Sequence, residues 1–230
     1  MGVCDHYRKP EDLPKVIPIF PLGGALLLPR GQLPLNIFEQ RYLAMVNDAM
    51  ASDRIIGMIQ PDGDEALDLQ DDPAAKPSLC RIGCAGRITS FTETGDGRIL
   101  ITLTGIARFH ALEEIPAIGG YRRFHVDASG YADDFCPGAG QTEVDRDRLV
   151  EIFRCYLDAH DLEADWESVH ASSNEALVNA LAMISPYGPK EKQALLEAPD
   201  LRTRNEILIA LTEMALAQRT CDSDAGSRLQ

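Results

Sequence analysis

A chain of 230 residues suits one large domain or two small ones that share a core. With 45% hydrophobic and 25% charged residues, its composition is that of a globular protein. A net charge of -14 repels polyphosphate, and Lys and Arg form only short groupings, such as Arg8-Lys9, Arg122-Arg123 and the spaced Arg202/Arg204, so neither nucleic acid nor an anionic membrane is expected as a partner.

In chain order, Val16 to Phe20 reads as a short strand closed by Pro21, and Ala25 to Leu28 as another closed by Pro29. Leu33 to Phe38 follows, with Pro34 indicating an edge or initial position. The apolar period then changes: Tyr42, Leu43, Val46 and Met50 fall on one face of a helix over Glu39 to Met50. Ile55 to Ile59 resumes a buried strand. Pro61 to Ser78 is dense in Asp, Glu and Pro and has no period. Leu79 to Thr94 alternates loosely, with Gly83 and Gly86 predicting a bulge or bend. Gly95-Asp96-Gly97 is a hairpin turn, because such turns need positive φ. Ile99 to Leu103, Ile106 to Leu112 and, after a Pro116 to Gly120 connection, Tyr121 to Val126 complete the strands. Their spacing predicts a mixed, largely antiparallel sheet curling towards a barrel.

Residues 132 to 141 mark a boundary, after which the pattern is helical. Leu149, Ile152, Phe153, Tyr156 and Leu157 form one stripe. Ser172 to Glu175 and Thr203 to Glu206 read as capping boxes. The first opens a helix carrying Leu177, Leu181 and Ile184. The second stands ahead of Ile207, Leu208, Leu211 and Met214. Pro189 suits the first turn of a helix running to Glu197. The expected fold class is α+β: a β-rich subdomain over 14–131, a helical subdomain over 142–219, and flexible ends at 1–13 and 220–230.

Sequence chemistry is sparse. Apolar stretches such as Ala25 to Leu28 are short, far below the ~20 residues that span a bilayer. The Met1 to Lys9 opening lacks the apolar stretch of a secretory signal. The expected location is the cytoplasm, with six cysteines as free thiols. Cys80 and Cys84 form a C-x3-C pair with no second pair at zinc spacing, which reads as small packed residues. There is no G-x4-G-K-[ST], H-E-x-x-H or G-x-S-x-G pattern, and no cofactor is expected. His160, with Asp158, Asp161, Glu163, Asp165 and His170, is the best metal candidate and the basis of an alternative reading as a metal-dependent hydrolase. Its place behind an amphipathic helix favours a solvated helix end instead. Cys4 and His6 lie in a terminal segment unable to hold catalytic geometry. His110 and His125 read as sheet residues. Asp62, Asp64, Glu65, Asp68, Asp71 and Asp72 lack the order of a calcium loop.

The segment Ile17 to Tyr42, IPIFPLGGALLLPRGQLPLNIFEQRY, resembles the opening of the Lon N-terminal, or substrate-binding, domain family, above all in P-L-x-I-F-E-x-R-Y. Ile82 to Ile88, Gly95 to Arg98, Gly105 to Phe109, Pro189 to Glu197 and Arg202 to Leu208 resemble later family segments in the same order. The resemblance implies a compact PUA-like β domain followed by helices, in a region that helps Lon select unfolded or tagged proteins. It also implies a stand-alone, non-catalytic member, because the ATPase and Ser-Lys peptidase parts of Lon do not follow. The partners implied are unfolded or extended polypeptide segments and an ATP-dependent protease; a PUA-like RNA-binding role is opposed by the charge. Pro34, Leu35, Phe38, Arg41 and Tyr42 are the candidate peptide-binding residues. The competing expectation is that Pro34, Leu35, Ile37 and Phe38 are core and that Glu39 and Arg41 fix the strand-to-helix corner. Any groove is expected near this corner, between the two subdomains.

Overall fold

The structure is a computed structural model. It describes residues 6–63 and 76–227, without the side chains of 117, 118 and 220–227. Most of the acidic loop, from Asp64 to Asp72, and Cys4 lie outside these residues.

Six strands form one sheet: β1 (Val16–Pro21), β2 (Gln32–Ile37), β3 (Ile55–Ile59), β4 (Ile82–Glu93), β5 (Ile99–Ile118) and β6 (Tyr121–Asp127). Their order is β2-β5-β4-β3-β1-β6, and β5 also pairs with β6, which closes the sheet on itself. Among the described strands, only β1 and β3 run parallel. The barrel expected from the sequence is therefore present, with β2 attached as an outer strand. Closure depends on the length of β5. Its first part, Ile99 to Thr104, lies between β4 and β2, and from His110 onward it pairs with β6. It is one strand rather than the two expected, and it runs through Pro116. The bulge expected near Gly83 and Gly86 falls between Ala85 and Gly86. The Gly95 and Gly97 turn has φ of 78° and 85°, and the Thr94 amide donates to the Arg98 carbonyl at 3.1 Å.

The barrel interior holds one apolar cluster centred on Phe109, Ile17, Ile19 and Phe124. Phe109 is fully buried, and a Cβ on Gly83 or Gly57 would run into its ring. A second, larger cluster covers the outside of the barrel and joins it to the helices. It includes Leu26, Leu27, Leu28, Met45, Val46, Leu103, Leu149, Val178, Leu195 and Leu208. Ala25 to Leu28 is thus not a strand: the leucines are buried side by side without a pairing partner, filling the space between barrel and helices. Burial alone makes an apolar run, and only a period or a neighbour makes it a strand.

The helices are α1 (Gln40–Met50), α2 (Arg146–Ala159), α3 (Trp166–Ala171), α4 (Asn174–Ile184), α5 (Pro189–Glu197) and α6 (Leu201–Ser227). α6 continues beyond residue 219, and at the other end of the chain a 3-10 turn over Pro10–Asp12 leads into buried Leu13. Both capping boxes differ from expectation. Ser173, not Ser172, caps α4 by accepting the Ala176 amide at 3.2 Å, while the Ser172 hydroxyl closes α3 on the Ser168 carbonyl. α6 begins at Leu201, where Asp200 accepts the Thr203 amide at 2.7 Å, so Thr203 to Glu206 lies inside the helix. In each case a side chain one to three residues earlier or later caps the helix by accepting an orphan amide of its first turn. The 132–141 segment is not a solvated linker throughout. Asp134 and Phe135 are buried at the end of a 3-10 stretch over Ser129–Phe135.

Candidate polypeptide-binding surface

Among the described residues, β2 has a neighbour on one side only. Its partner is β5, in the register Pro34↔Thr102, Leu35↔Ile101, Asn36↔Leu100 and Ile37↔Ile99. Among the described residues, no backbone hydrogen bond outside that pairing involves residues 32 to 37. A proline is tolerated on such an edge because its missing N–H is lost from the unpaired side. Strand alternation turns Leu33, Leu35 and Ile37 towards the large cluster and leaves Gln32, Pro34 and Asn36 exposed.

Phe38 continues this alternation past the end of β2 and is 60% exposed. The expectation that it belongs to the core is incorrect, as is the same expectation for Pro34. Ile37 occupies the inward position, so the next side chain has to face out. The Arg98 guanidinium lies 5.8 Å from the centre of the Phe38 ring. Leu100, opposite Asn36, is 44% exposed on the same face and lies diagonally between Phe38 and Pro34. The result is an apolar outer face on an open sheet edge.

Two other candidates are structural. Tyr42 is buried, with its ring edge-on to Phe20 at 4.4 Å, and burial raises its phenol pKa against the pull of Arg41. Arg41 pairs with Glu39 at 2.8 Å and covers the Tyr42 ring at 4.7 Å, which fixes the turn from β2 into α1 as expected. Of the five candidates, only Pro34 and Phe38 face outward. Leu35, half-buried, forms the inner side of the same strand.

At the other end of β2 lies a groove of about 360 Å³ between the 29–32 turn and one face of α4. Its apolar walls are Pro29, Ala176, Ala180, Met183 and Ile184. Ile184 is 74% exposed, although the sequence placed it in the buried stripe with Leu177 and Leu181. α4 buries Leu177, Val178 and Ala182 instead. Nearly every turn of α4 is apolar on both sides, and a helix apolar all round with one side open has a surface to cover. That was the available signal for residues 176, 180 and 184, and the stripe reading missed it.

Buried polar groups hold this turn against the helices. Arg30 takes a left-handed conformation (φ 64°), donates to the Asp134 carbonyl at 2.6 Å and pairs with Glu175. Glu175 also accepts the Gly138 amide at 2.8 Å. Asn179 donates to the Pro29 carbonyl at 3.1 Å and accepts from Arg204 at 3.0 Å. Gly31 leaves room for the Met183 sulfur. Arg108 leaves β5 to meet the Asp134 carboxylate through its amide, Nε and Nη2, at 2.8–2.9 Å. It also reaches the carbonyls of Leu196 and Ala198 at the end of α5. Burial opposes the charge on Arg108, but the hydrogen bonds and charge of Asp134 outweigh it and its pKa is raised. Among the described residues, buried Arg204 pairs with no carboxylate, and burial followed by repulsion from Arg108 lowers its pKa to about 10.

The remaining chemical candidates do not converge. His160 ends α2, packs on Tyr156 with ring centres 4.3 Å apart and has Nδ1 2.6 Å from Arg219. Asp165 caps α3 by accepting the Ser168 amide. Among the described residues, no three His, Cys, Asp or Glu side chains gather as a metal site. Cys84 is buried in β4 and Cys80 half-buried just before it. Burial and the charges of Asp62 and Glu197 raise the Cys80 thiol to about 11. No helix among the described residues is long and apolar enough to cross a membrane.

Comparison with known proteins gives a family, relatives that contain it and solved structures of the same fold. Residues 16–213 match the family model of the ATP-dependent protease La (LON) substrate-binding domain. Over 207 residues the chain is 28% identical to Lon protease 2 of Myxococcus xanthus, covering 87% of this chain and 24% of that protein. It is 23% identical over 225 residues to Lon protease of Flavobacterium johnsoniae, covering 96% and 26%. The chain thus spans about a quarter of the length of these relatives. Among solved structures, the N-terminal domain of Mycobacterium avium complex Lon protease superposes with a TM-score of 0.63 at 17% identity, covering 86% of this chain and 98% of that one. A Lon N-terminal domain protein from Xanthomonas campestris gives 0.58 at 21%, covering 85% and 97%. The chain belongs to the Lon substrate-binding domain family.

Proposed function

We infer that this protein recognises extended or unfolded polypeptide segments and acts by binding them, not by cleaving them. The observation that carries this reading is the open edge of β2, bordered by exposed Phe38 and Leu100. An unpaired edge offers backbone donors and acceptors to any extended chain, and outward apolar side chains add affinity. In this reading the protein works in the cytoplasm, where its thiols stay reduced, as an adaptor that passes bound segments to an ATP-dependent protease.

The test is to titrate a labelled, permanently unfolded casein-like protein by fluorescence anisotropy, with a parallel gel assay for cleavage with and without ATP and Mg²⁺. The expected result is saturable binding in the micromolar range or weaker, because a disordered client loses ordering entropy on docking. No fragments should form. No anisotropy change at high micromolar protein would refute direct recognition, and ATP-dependent fragments from the pure protein would refute the non-catalytic reading.

A further inference from the structure

We propose that the groove between the 29–32 turn and α4 holds one apolar side chain of an extended client segment laid along β2, and that Phe38 and Leu100 hold a second. This deepens the preceding reading and rests on it. The groove is lined by Gly31 and Gln32, which lead directly into β2, while Phe38 follows its last residue. A strand added to that edge therefore has the groove at one end and the Phe38 face at the other. β2 has six residues, so the two positions lie about 20 Å apart at roughly 3.4 Å per residue.

The occupant follows from the chemistry of the walls. The strong polar groups at the groove already have partners: Arg30 has Glu175 and the Asp134 carbonyl, and Asn179 has the Pro29 carbonyl and Arg204. What is left for a ligand is mostly apolar, Ala176, Ala180, Met183 and Ile184, beside the Gln32 side chain and the unpartnered Arg30 Nε. At 360 Å³ the groove sits at the small end of ligand clefts, enough for a side chain or two but not for a folded partner. The edge beside it demands an extended backbone. Finally, the net charge of -14 draws in positive segments and repels acidic ones. The preferred client is an extended stretch with two apolar anchors about six residues apart, flanked by Lys or Arg.

The experiment uses the full chain and labelled peptides read by anisotropy. One peptide carries two leucines at the long spacing between flanking lysines. A second has the leucines adjacent, and a third replaces the lysines by glutamates. Three variants are compared at matched melting temperature. Ile184→Ser removes the groove's exposed wall, and Ala180→Tyr fills the groove from an exposed helix position. Leu162→Ser alters an exposed leucine outside the groove.

The expected result is tightest binding of the long-spaced basic peptide. Ile184→Ser and Ala180→Tyr should each weaken it about tenfold, and Leu162→Ser should leave it unchanged. Wild-type binding that survives both groove variants would overturn the groove assignment while leaving polypeptide recognition intact. Equal weakening by Leu162→Ser would also overturn it, by showing that any exposed apolar residue serves. Failure of the wild type to bind either peptide or unfolded casein would refute the parent reading and this inference together.

Discussion

Asp134 is the acceptor on which the junction of barrel and helices depends, and replacing it by alanine should be among the most damaging single changes. Its carboxylate receives three hydrogen bonds from Arg108, whose side chain is 3% exposed. Removing the carboxylate leaves a guanidinium buried without a counterion, and such a loss costs about 3–5 kcal/mol. The carbonyls of Leu196 and Ala198 still accept from Arg108, which places the expected loss towards the lower end. At a urea dependence of about 2 kcal/mol per molar, the unfolding midpoint should fall by about 1.5–2 M. Pairing Asp134→Leu with Arg108→Met should recover much of the loss, because an apolar pair leaves no buried charge unpaired. The control is the exposed pair Arg202–Glu206, at 61% and 58% exposure, where Glu206→Ala should shift nothing measurable. An Asp134→Ala midpoint equal to that of Glu206→Ala would refute the idea that this ion pair joins the two parts.

Other changes test other parts of the structure. Phe38→Ala should leave thermal stability within about 0.5 kcal/mol of wild type, as for any exposed side chain, while weakening client binding. A loss of about 3–5 kcal/mol would return Phe38 to the core. Gly105→Ala should destabilise by about 1–3 kcal/mol, since the new Cβ would overlap the Leu28 backbone carbonyl where the 28–31 turn crosses β5; an unchanged denaturation midpoint would mean that the crossing is loose. In alkylation followed by peptide mapping, exposed Cys136 and Cys155 should react first at pH 8. Cys80 should lag, speeding up only as pH rises towards its pKa of about 11, because the thiolate is the nucleophile. Rapid labelling of Cys80 at pH 8 would contradict the burial assigned to it.

Much of the barrel was legible because its signals are local. Alternation from Leu33 to Ile37, the Gly-Asp-Gly turn and the stripe on α2 each depend on neighbours in sequence. Alternation also carried the answer for Phe38, since Ile37 facing inward requires Phe38 to face outward. The apolar look of the whole segment obscured it. What was not legible depends on partners far along the chain. Nothing near Arg108 announces Asp134, twenty-six positions away, and nothing near Glu175 distinguishes a helix cap from a partner for Arg30. The two serines at 172 and 173 satisfy the same capping pattern, and the backbone entering α4 decides between them. Leu26 to Leu28 looked like a strand because both strands and buried loops conceal leucines. The candidate surface was half visible: β2 and Pro34 from their pattern, the α4 wall only once the helix had a neighbour on its other side.

An extended polypeptide that docks along β2 should leave its mark on hydrogen exchange measured with and without a saturating unfolded client. Amides of an edge strand that point away from its one partner have no hydrogen bond to open and exchange readily, and pairing with an added strand protects them. Added protection should concentrate in residues 32–38, with a smaller effect at the exposed face of α4. Protection confined to α2 and α6, or none anywhere while the client remains bound, would contradict it.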